Sequence, residues 1–304
     1  MPSVSSLAEA SSALAAAHTE GRSLRIGDDL SAGGLDRVLE HDPGDLTCTM
    51  EAGVRLSALR AALAEAGQRL SLDPPGDPTI GALLATNVSG PLRHRFGAPR
   101  DLVLGCTLVL ADGTVASAGG KVVKNVAGYD LARLVCGSEG RLAFVARASF
   151  RLHPLPKASR TLVVETDDTA KVSARLLRSQ LAPSALDLLH PGRVIVLFEG
   201  SERAVSAQVD TARALVGGDE TDTSVWDESR ERQTASKGRV RFDPGDLPRI
   251  LETLTDAVIR PSAGVAFTAA ESPSNSLLQG SSSGAELLAE RIRQELDPHG
   301  VLSG

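Results

Sequence analysis

Residues 72–105 read LDPPGDPTIGALLATNVSGPLRHRFGAPRDLVLG, and residues 118–144 read AGGKVVKNVAGYDLARLVCGSEGRLAF. Both stretches concentrate Gly, Pro, Asn, Ser and Thr between short apolar segments. Turns of this composition expose backbone N–H groups, and a phosphorylated cofactor needs such donors. The two stretches therefore predict loops that bind a nucleotide.

The segment TIGALLATNVSG at residues 79–90 is the main candidate in the first stretch. Thr79 can cap a short helix that runs through Ala85, and Gly81 removes a Cβ from its first turn. The start of such a helix offers free N–H groups and the positive end of its dipole to a diphosphate. A second polar turn follows, made of Asn87, Ser89 and Gly90. The alternative is a capped helix with its exit turn and no ligand.

The second stretch holds two further candidates. In CGSEG at 136–140, two glycines and a serine make a tight loop that a planar ring or a ribose can approach, although many strand-entry turns look alike. GGKVVKNVAGYD at 119–130 is not a Walker A loop, because valines stand at positions 115 and 122, where Gly and Ser or Thr are required. Lys121 and Lys124 are either surface charges or charges that neutralise an anion.

A basic turn follows Gly90-Pro91. Arg93 and Arg95 can hold a carboxylate through paired hydrogen bonds, and His94 can act as a base near neutral pH. A solvated basic turn is the alternative. The other histidines have no metal-ligand spacing, so no metal site is expected, and the sequence assigns no catalytic residue.

Composition bounds the class of protein. The chain has 304 residues, a length typical of about two domains, and 42% of its residues are apolar. Its 32 basic and 38 acidic residues give a net charge of −6, which argues against nucleic acid as a partner. No apolar run reaches the roughly 18 residues of a membrane span, and the N-terminus lacks the pattern of a signal peptide. The three cysteines form no CxxC motif, so we expect them to serve as small buried side chains of a protein in the reducing cytoplasm.

Hydrophobic periodicity predicts two helices and a hairpin in the first half of the chain. One helix carries Leu7, Ala10, Leu14 and Ala17 and ends at Gly21, and the other carries Leu56, Leu59, Leu63 and Ala66 and ends at Gly67. Asp112-Gly113 indicates a hairpin turn between two strands. Further strands are expected at 23–26, 46–50 and 142–152.

The segment HPLPK at residues 153–157 predicts a domain boundary, because alternate prolines stiffen a linker. Beyond it, strands are expected at 161–166, 193–198 and 263–269, and helices at 172–181, 201–215, 245–258 and 284–296. This alternation favours an α+β sandwich. The Ser- and Gly-rich residues 270–284 predict a surface loop.

Taken in order, several of these pieces resemble one family. They are DPP with TIGALLATNVSGP, RDLVLG, ADGT, GGKVVKNVAGYDLARL, GSEGRL, FRLHPLP and the closing ERIRQELDPHGVL. They are similar to the FAD-binding subunit of bacterial glycolate oxidase and, more broadly, to FAD-linked oxidases with a p-cresol methylhydroxylase-type flavin domain. Continuous similarity covers about residues 35–156.

The resemblance implies an α+β fold. A two-subdomain FAD-binding domain of the p-cresol methylhydroxylase type would occupy residues 1–156, and a smaller, ferredoxin-like α+β cap domain residues 157–304. FAD would bind non-covalently. The resemblance places Pro75, Thr79, Gly81, Thr86, Asn87, Ser89 and Gly90 along the diphosphate and ribityl chain, and Gly137, Ser138, Gly140 and Val145 along the rest of the flavin nucleotide.

The resemblance also implies a reaction. A hydride would pass from the α-carbon of a 2-hydroxy acid to flavin N5, and the electrons would continue to partner flavoprotein and iron–sulfur subunits. Such a complex would be cytoplasmic or held at a membrane through its partners. Arg93 and Arg95 are the candidate contacts for the substrate carboxylate.

One departure from the family motivates an alternative. The first loop, residues 27–34, is shorter than the Gly-rich loop that the family carries there, and Asp28 and Asp29 would repel a diphosphate. The alternative is a non-catalytic subunit of a flavoprotein complex, which keeps the fold but binds FAD weakly or not at all. A third interpretation is a stand-alone flavin oxidoreductase that acts on a sugar or an amino-sugar nucleotide, although KNVAGYD disfavours it.

Overall fold

The computed structural model describes residues 3–120, 130–270 and 283–303. The predicted stretch around Lys121 and Lys124 and most of the predicted surface loop at 270–284 lie outside these residues. The helices are α1 Leu7–Glu20, α2 Leu56–Ala64, α3 Ile80–Thr86, α4 Arg93–Phe96, α5 Pro99–Leu102, α6 Leu131–Leu134, α7 Thr169–Leu177, α8 Glu202–Val216, α9 Ser224–Thr234, α10 Leu247–Thr253 and α11 Ser283–Leu296.

The strands form two large sheets and two short pairs. They are β1 Leu24–Arg25, β2 Val38–Asp42, β3 Thr47–Glu51, β4 Gln68–Arg69, β5 Val103–Val109, β6 Val115–Gly119, β7 Phe144–Arg151, β8 His153–Pro154, β9 Ala158–Glu165, β10 Ala185–His190, β11 Arg193–Gly200, β12 Asp219–Thr221, β13 Gly238–Arg241, β14 Ala257–Arg260, β15 Val265–Thr268 and β16 Leu302–Ser303.

The five-stranded sheet has the order β2-β3-β7-β5-β6, and all its pairs are antiparallel. Helix α1 covers one face, where Leu14 packs in a cluster with Phe144 and Ala146 of β7. Helices α2 and α3 cover the other face, where Val145 and Phe150 lie. The apolar residues of β7 are buried on both faces of this sheet, while Arg147 and Ser149 are half-buried and Arg151 is exposed.

The seven-stranded sheet has the order β12-β9-β11-β10-β14-β15-β13 and is also antiparallel throughout. Strand β11 shows its two faces. Val194, Val196 and Phe198 pack in one cluster with residues of α7 and α8, while Ile195 and Leu197 pack in another with Trp226 of α9 and Leu92. Leu92, which precedes α4, thus belongs to the core beneath this sheet and joins it to the first part of the chain.

Two short strand pairs return the chain to its earlier part. Strand β8 pairs with β4, so the predicted linker at 153–157 begins as an extended strand. Strand β16 pairs in parallel with β1, and Leu302 joins the cluster around α1. The division at residues 156 and 157 stays a prediction, and this return of the last strand is a feature that the sequence did not indicate.

Two local signals in the first half are confirmed. Helix α1 ends at Gly21, whose φ of 64° is left-handed, and the hairpin β5–β6 turns at Asp112-Gly113. The prediction for α2 was wrong at its end, because the helix stops at Ala64 and Ala66 is exposed beyond it. Cys48 and Cys106 are buried as predicted, and burial raises the pKa of the Cys48 thiol to about 11.

Candidate functional site

The two turns predicted to bind a nucleotide lie against each other. Helix α3 ends at Asn87, which has a left-handed φ of 50°. The loop 136–140 sits on this end, because the Gly137 N–H donates to the Leu84 carbonyl at 2.9 Å and the Glu139 N–H donates to the Ala85 carbonyl at 2.8 Å. Residues 79–90 and 136–140 therefore form one surface, although they are separated by β5 and β6 in the chain.

Ile26, which precedes the short first loop, reaches the same surface. Gly140 has a φ of +79°, and a Cβ built on it would lie 2.8 Å from the Ile26 Cβ. Glycine is needed here for its backbone conformation and for the close approach of Ile26. Three separated stretches, around Ile26, Asn87 and Gly137, thus meet at one place.

The expectation of free N–H groups at the start of α3 is wrong. The Ile80 N–H donates to the Val54 carbonyl at 2.9 Å, and the Gly81 N–H donates to the Ala52 carbonyl at 2.7 Å. The next amide, that of Ala82, donates to Thr79 Oγ1 at 3.3 Å. Gly81 instead allows close packing, since a Cβ there would lie 3.2 Å from the Ala52 carbonyl oxygen. Thr79 is the helix cap that the sequence predicted, but the first N–H groups of α3 bond to the protein itself.

The first loop is closed on itself. The Gly27 N–H donates to the Leu30 carbonyl at 2.8 Å, and the N–H groups of Asp28 and Asp29 both donate to the Arg25 carbonyl. The Asp29 carboxylate accepts from the Arg25 N–H at 2.8 Å, while exposed Asp28 pairs with the Arg25 guanidinium at 3.4 Å. The two carboxylates therefore stabilise a tight turn, and the amides of this loop are used within it.

The remaining predicted residues divide into two groups. In the first group, Thr86 is exposed at the end of α3, and the Asn87 side-chain oxygen accepts from the Arg100 N–H at 3.2 Å. Ser138 lies on the loop 136–140, and Val145 lies on β7 behind that loop. Pro75 and Ser89 instead lie toward the seven-stranded sheet, where the Ser89 carbonyl accepts from Arg260 of β14. A Cβ on Gly90 would lie 1.8 Å from the Asp73 carbonyl oxygen, so the chain crosses itself closely at this point.

A cleft of about 520 Å³ separates the end of α3 from the edge of the seven-stranded sheet. Its lining includes Pro75, Val88, Gln233, Lys237, Arg239 and Phe267. The Arg239 guanidinium lies 5.7 Å from the centre of the Phe267 ring. Burial, reinforced by neighbouring arginines, lowers the pKa of Arg239. With Lys237 also present, the cleft is suited to an organic anion.

The three basic side chains of the turn predicted to hold a carboxylate lie in different environments. Arg93 donates to Ser89 Oγ at 3.2 Å, and burial lowers its pKa. Arg95 lies over the Phe96 ring and lines a separate cavity of about 310 Å³ together with His94. The His94 Nδ1 is 2.7 Å from Ser262 Oγ, and burial lowers the pKa of this imidazole. The substrate role of Arg93 and Arg95 stays a prediction.

The sequence did not indicate Arg239 or Arg260, which the structure places around the cleft. Exposed Arg239 stands next to buried Val240 on an edge strand. This alternation is typical of any half-exposed strand, so it gave no sign of a binding residue. Arg260 stood out more, because it is a single charge at the end of the apolar run AVIR, and all four residues of that strand are buried. An isolated arginine in a fully apolar strand is a signal of a buried partner.

A larger cavity of about 980 Å³ lies on the other side of the turn at Pro75 and Gly76. Its lining includes Asp73, Arg230 and Trp226. The Asp73 carboxylate accepts from the Leu92 N–H at 2.9 Å and lies 3.4 Å from the Arg230 guanidinium. Burial outweighs the nearby arginines and raises the pKa of Asp73 to about 7.

This raised pKa predicts a pH dependence of stability. Because the folded state keeps a proton on Asp73 that the unfolded chain loses near pH 4, stability should fall as pH rises from about 4 to 7. Asp73→Asn should flatten this slope in urea unfolding measured between pH 5 and 8. Asp77→Asn is the matched control, because hydrogen bonds from Ser57 lower the Asp77 pKa, and its contribution disappears only in acid. An unchanged slope in Asp73→Asn would contradict the assignment.

Comparison with known proteins identifies the class. Residues 6–119 match the family model of the FAD binding domain. With the two meeting turns, this match defines an FAD-binding domain of the p-cresol methylhydroxylase type, as found in FAD-linked oxidoreductases, and its cofactor is FAD. The resemblance predicted from the sequence motifs is thereby confirmed.

Among curated proteins, the chain is similar to subunits of glycolate oxidase. It is 35% identical over 201 residues to glycolate oxidase subunit GlcE of Escherichia coli (strain K12), over 64% of this chain and 56% of that protein. It is 34% identical over 173 residues to glycolate oxidase subunit GlcD of Bacillus subtilis (strain 168), over 54% of this chain and 36% of that protein. The match therefore spans about half or less of these relatives.

Other similarities extend the comparison. The chain is 32% identical over 203 residues to the mitochondrial D-lactate dehydrogenase [cytochrome] 1 of Saccharomyces cerevisiae (strain ATCC 204508 / S288c), over 64% of this chain and 34% of that protein. A solved structure of alkyldihydroxyacetonephosphate synthase superposes on this chain with a TM-score of 0.73 at 16% sequence identity. The superposition covers 99% of this chain and 74% of the synthase chain. This likeness confirms the predicted fold class. Within the described part of the chain, no helix has the length and apolarity needed to cross a membrane.

Proposed function

We propose that this chain is an FAD-linked oxidoreductase similar to a glycolate oxidase FAD-binding subunit, which oxidises a 2-hydroxy acid with non-covalently bound FAD. The observation that supports it is the meeting of the 79–90 and 136–140 turns at one surface, close to a cationic cleft. FAD supplies the acceptor for the substrate hydride when it is bound. Thr86 and Asn87 on one side, and Gly137 and Ser138 on the other, would hold the cofactor.

The cleft residues would favour the binding of a 2-hydroxy acid. The Arg239 guanidinium would bind the substrate carboxylate in a paired geometry, and Lys237 would add positive charge. Phe267 would limit water at the same point, which strengthens the attraction between the charges. The relatives named for glycolate and D-lactate are consistent with this substrate class. The chain's own residues would thus bind and orient the acid.

The proposal includes organisation and partners. An FAD-binding domain over residues 1–156 and an α+β cap domain over 157–304 would form the subunit. Partner flavoprotein and iron–sulfur subunits would receive the electrons in the cytoplasm or at a membrane surface. Two of the similar proteins are named as glycolate oxidase subunits, which supports a multi-subunit assembly.

The proposal is tested by adding FAD to the purified protein. A yellow complex with absorption at about 375 and 450 nm is expected. Glycolate or D-lactate, added without oxygen, should bleach the band at the longer wavelength. Arg239→Met should raise the half-saturating acid concentration roughly 30-fold, since a hydrogen bond between charged groups is worth about 2 kcal/mol. Arg241→Met, further along β13, is the control and should change it little. A protein that stays colourless contradicts the proposal.

A second candidate function rests on the closed first loop. Because the amides of residues 27–30 are used within that loop, FAD would lose one set of donors. A non-catalytic subunit that keeps the fold and binds FAD weakly would follow. FAD fluorescence titration distinguishes the two functions. Quenching that stays unsaturated at high micromolar protein, together with retained binding of a partner subunit, supports the non-catalytic subunit.

A further inference from the structure

Arg260 and Asp187 form a fully buried ion pair in the seven-stranded sheet. Their side chains have 0% exposure, and Arg260 Nε lies 3.3 Å from Asp187 Oδ1. Ser229 of α9 donates to the other carboxylate oxygen at 2.6 Å. Removing two charges from water costs several kcal/mol per ion, so a buried pair is weak evidence of a role in stability alone. The pair therefore calls for an explanation in what the guanidinium holds.

The guanidinium holds the turn after α3. Arg260 Nη1 donates to the Ser89 carbonyl at 3.2 Å, and its Nη2 donates to Gln233 Oε1 at 2.7 Å. The Gln233 amide nitrogen donates to the same Ser89 carbonyl at 3.1 Å. One backbone oxygen thus accepts from two buried side chains, one on a strand and one on a helix packed against the seven-stranded sheet. These contacts fix the position of the turn.

The same guanidinium lies between the turn at Ser89 and the aromatic wall of the cleft. Val88, which precedes Ser89, lines one wall, and Phe267 lines the other. The Arg260 Cζ lies 5.2 Å from the centre of the Phe267 ring. The Asp187 carboxylate lies behind the guanidinium as its ion-pair partner, with no hydrogen bond between Arg260 Nε and Asp187 Oδ1. Arg260 therefore connects the turn, the aromatic wall and the sheet through a single rigid group.

We propose that Arg260 is a positioning residue that sets the width of the substrate cleft by holding the Ser89 carbonyl at a fixed distance from Phe267. The role rests on the proposed function, because the cleft is the site proposed for the 2-hydroxy acid. Lysine cannot replace it, since a single ammonium group lacks the planar pair of Nη donors that reaches both Ser89 and Gln233.

The test compares Arg260→Lys and Gln233→Leu with the wild type. Without FAD, hydrogen exchange at the amides of Leu92 and Arg93, which bond to Asp73 and Gly90, should accelerate at least tenfold, while strand β5 stays protected. With FAD, the half-saturating acid concentration should rise at least tenfold, and the maximal bleaching rate should change less. Gln233→Leu keeps the Arg260–Asp187 pair, so one variant is expected to fold even if the other does not.

Arg69→Gln is the matched control. The Arg69 guanidinium makes a two-bond pair with Glu199 at 2.7 and 2.6 Å, which also joins the first part of the chain to the seven-stranded sheet. It does not touch the turn at Ser89. If all three variants lower the melting temperature alike and leave exchange at Leu92 and Arg93 unchanged, the role of Arg260 is only structural and the proposal is overturned. The exchange measurement needs no flavin, so a colourless protein would not obscure this result.

Discussion

Phe198→Ala is expected to lower the free energy of unfolding by about 4 kcal/mol, because it removes a fully buried ring from the core of the seven-stranded sheet. Urea unfolding followed by tryptophan fluorescence measures this loss. Trp226 is the only tryptophan in the chain, is 4% exposed and packs on the opposite face of the same sheet. Its signal therefore reports on this sheet directly.

The matched variant Phe150→Ala removes a ring of the same kind from the core of the five-stranded sheet, where Phe150 is also fully buried. Its far-UV circular dichroism transition should shift by about the same 4 kcal/mol. If the proposed division at residues 156 and 157 separates two folding units, the Trp226 transition should stay in place. A Trp226 transition that moves equally in both variants would show a single cooperative unit and contradict that division.

Gly90→Ala is expected to cost about 3 kcal/mol, at the upper end of the usual cost of overpacking. The new Cβ would lie 1.8 Å from the Asp73 carbonyl oxygen and 2.6 Å from its carbonyl carbon. Because backbone atoms cannot swing aside as a flexible side chain can, the turn after α3 must move as a whole. The denaturant midpoint should fall with an unchanged m value, and FAD-dependent bleaching should weaken with it.

Gly120→Ala is the control for this prediction. A Cβ at Gly120 meets no atom within 4 Å among the described residues, and its φ is not left-handed. We expect a change within about 0.5 kcal/mol there. Equal midpoints for Gly90→Ala and the wild type would mean that the crossing at Asp73 is loose in solution.

Features that depend on neighbouring residues were predictable from the sequence. The Thr79 cap, the Asp112-Gly113 hairpin and the stripe of α1 each depend on a few adjacent side chains. The meeting of the 79–90 and 136–140 turns followed from the family resemblance and from their shared glycine pattern. The cap, the hairpin and the α1 stripe are the features that short-range rules control.

The missed elements share a different cause. Helix α9 reads SVWDESRERQT, and its buried positions include the polar residues Ser229 and Gln233. Those side chains face the ion pair of Arg260 and Asp187, so hydrophobic periodicity is hidden where polar contacts replace apolar ones. Strands β10 and β14 are buried on both faces and lack alternation. Which amides remain free depends likewise on partners far along the chain, as Gly81 and Ala52 show.

The pairing of β1 with β16 has a consequence for biosynthesis. The Leu24 N–H donates to the Val301 carbonyl at 2.6 Å, so β1 finds its neighbouring strand only when residues 302–303 have left the ribosome. The seven-stranded sheet, from Ala158 to Thr268, needs no such late arrival. During vectorial synthesis, the strand Leu24–Arg25 should therefore stay unpaired and open to proteases and chaperones until Leu302–Ser303 has emerged.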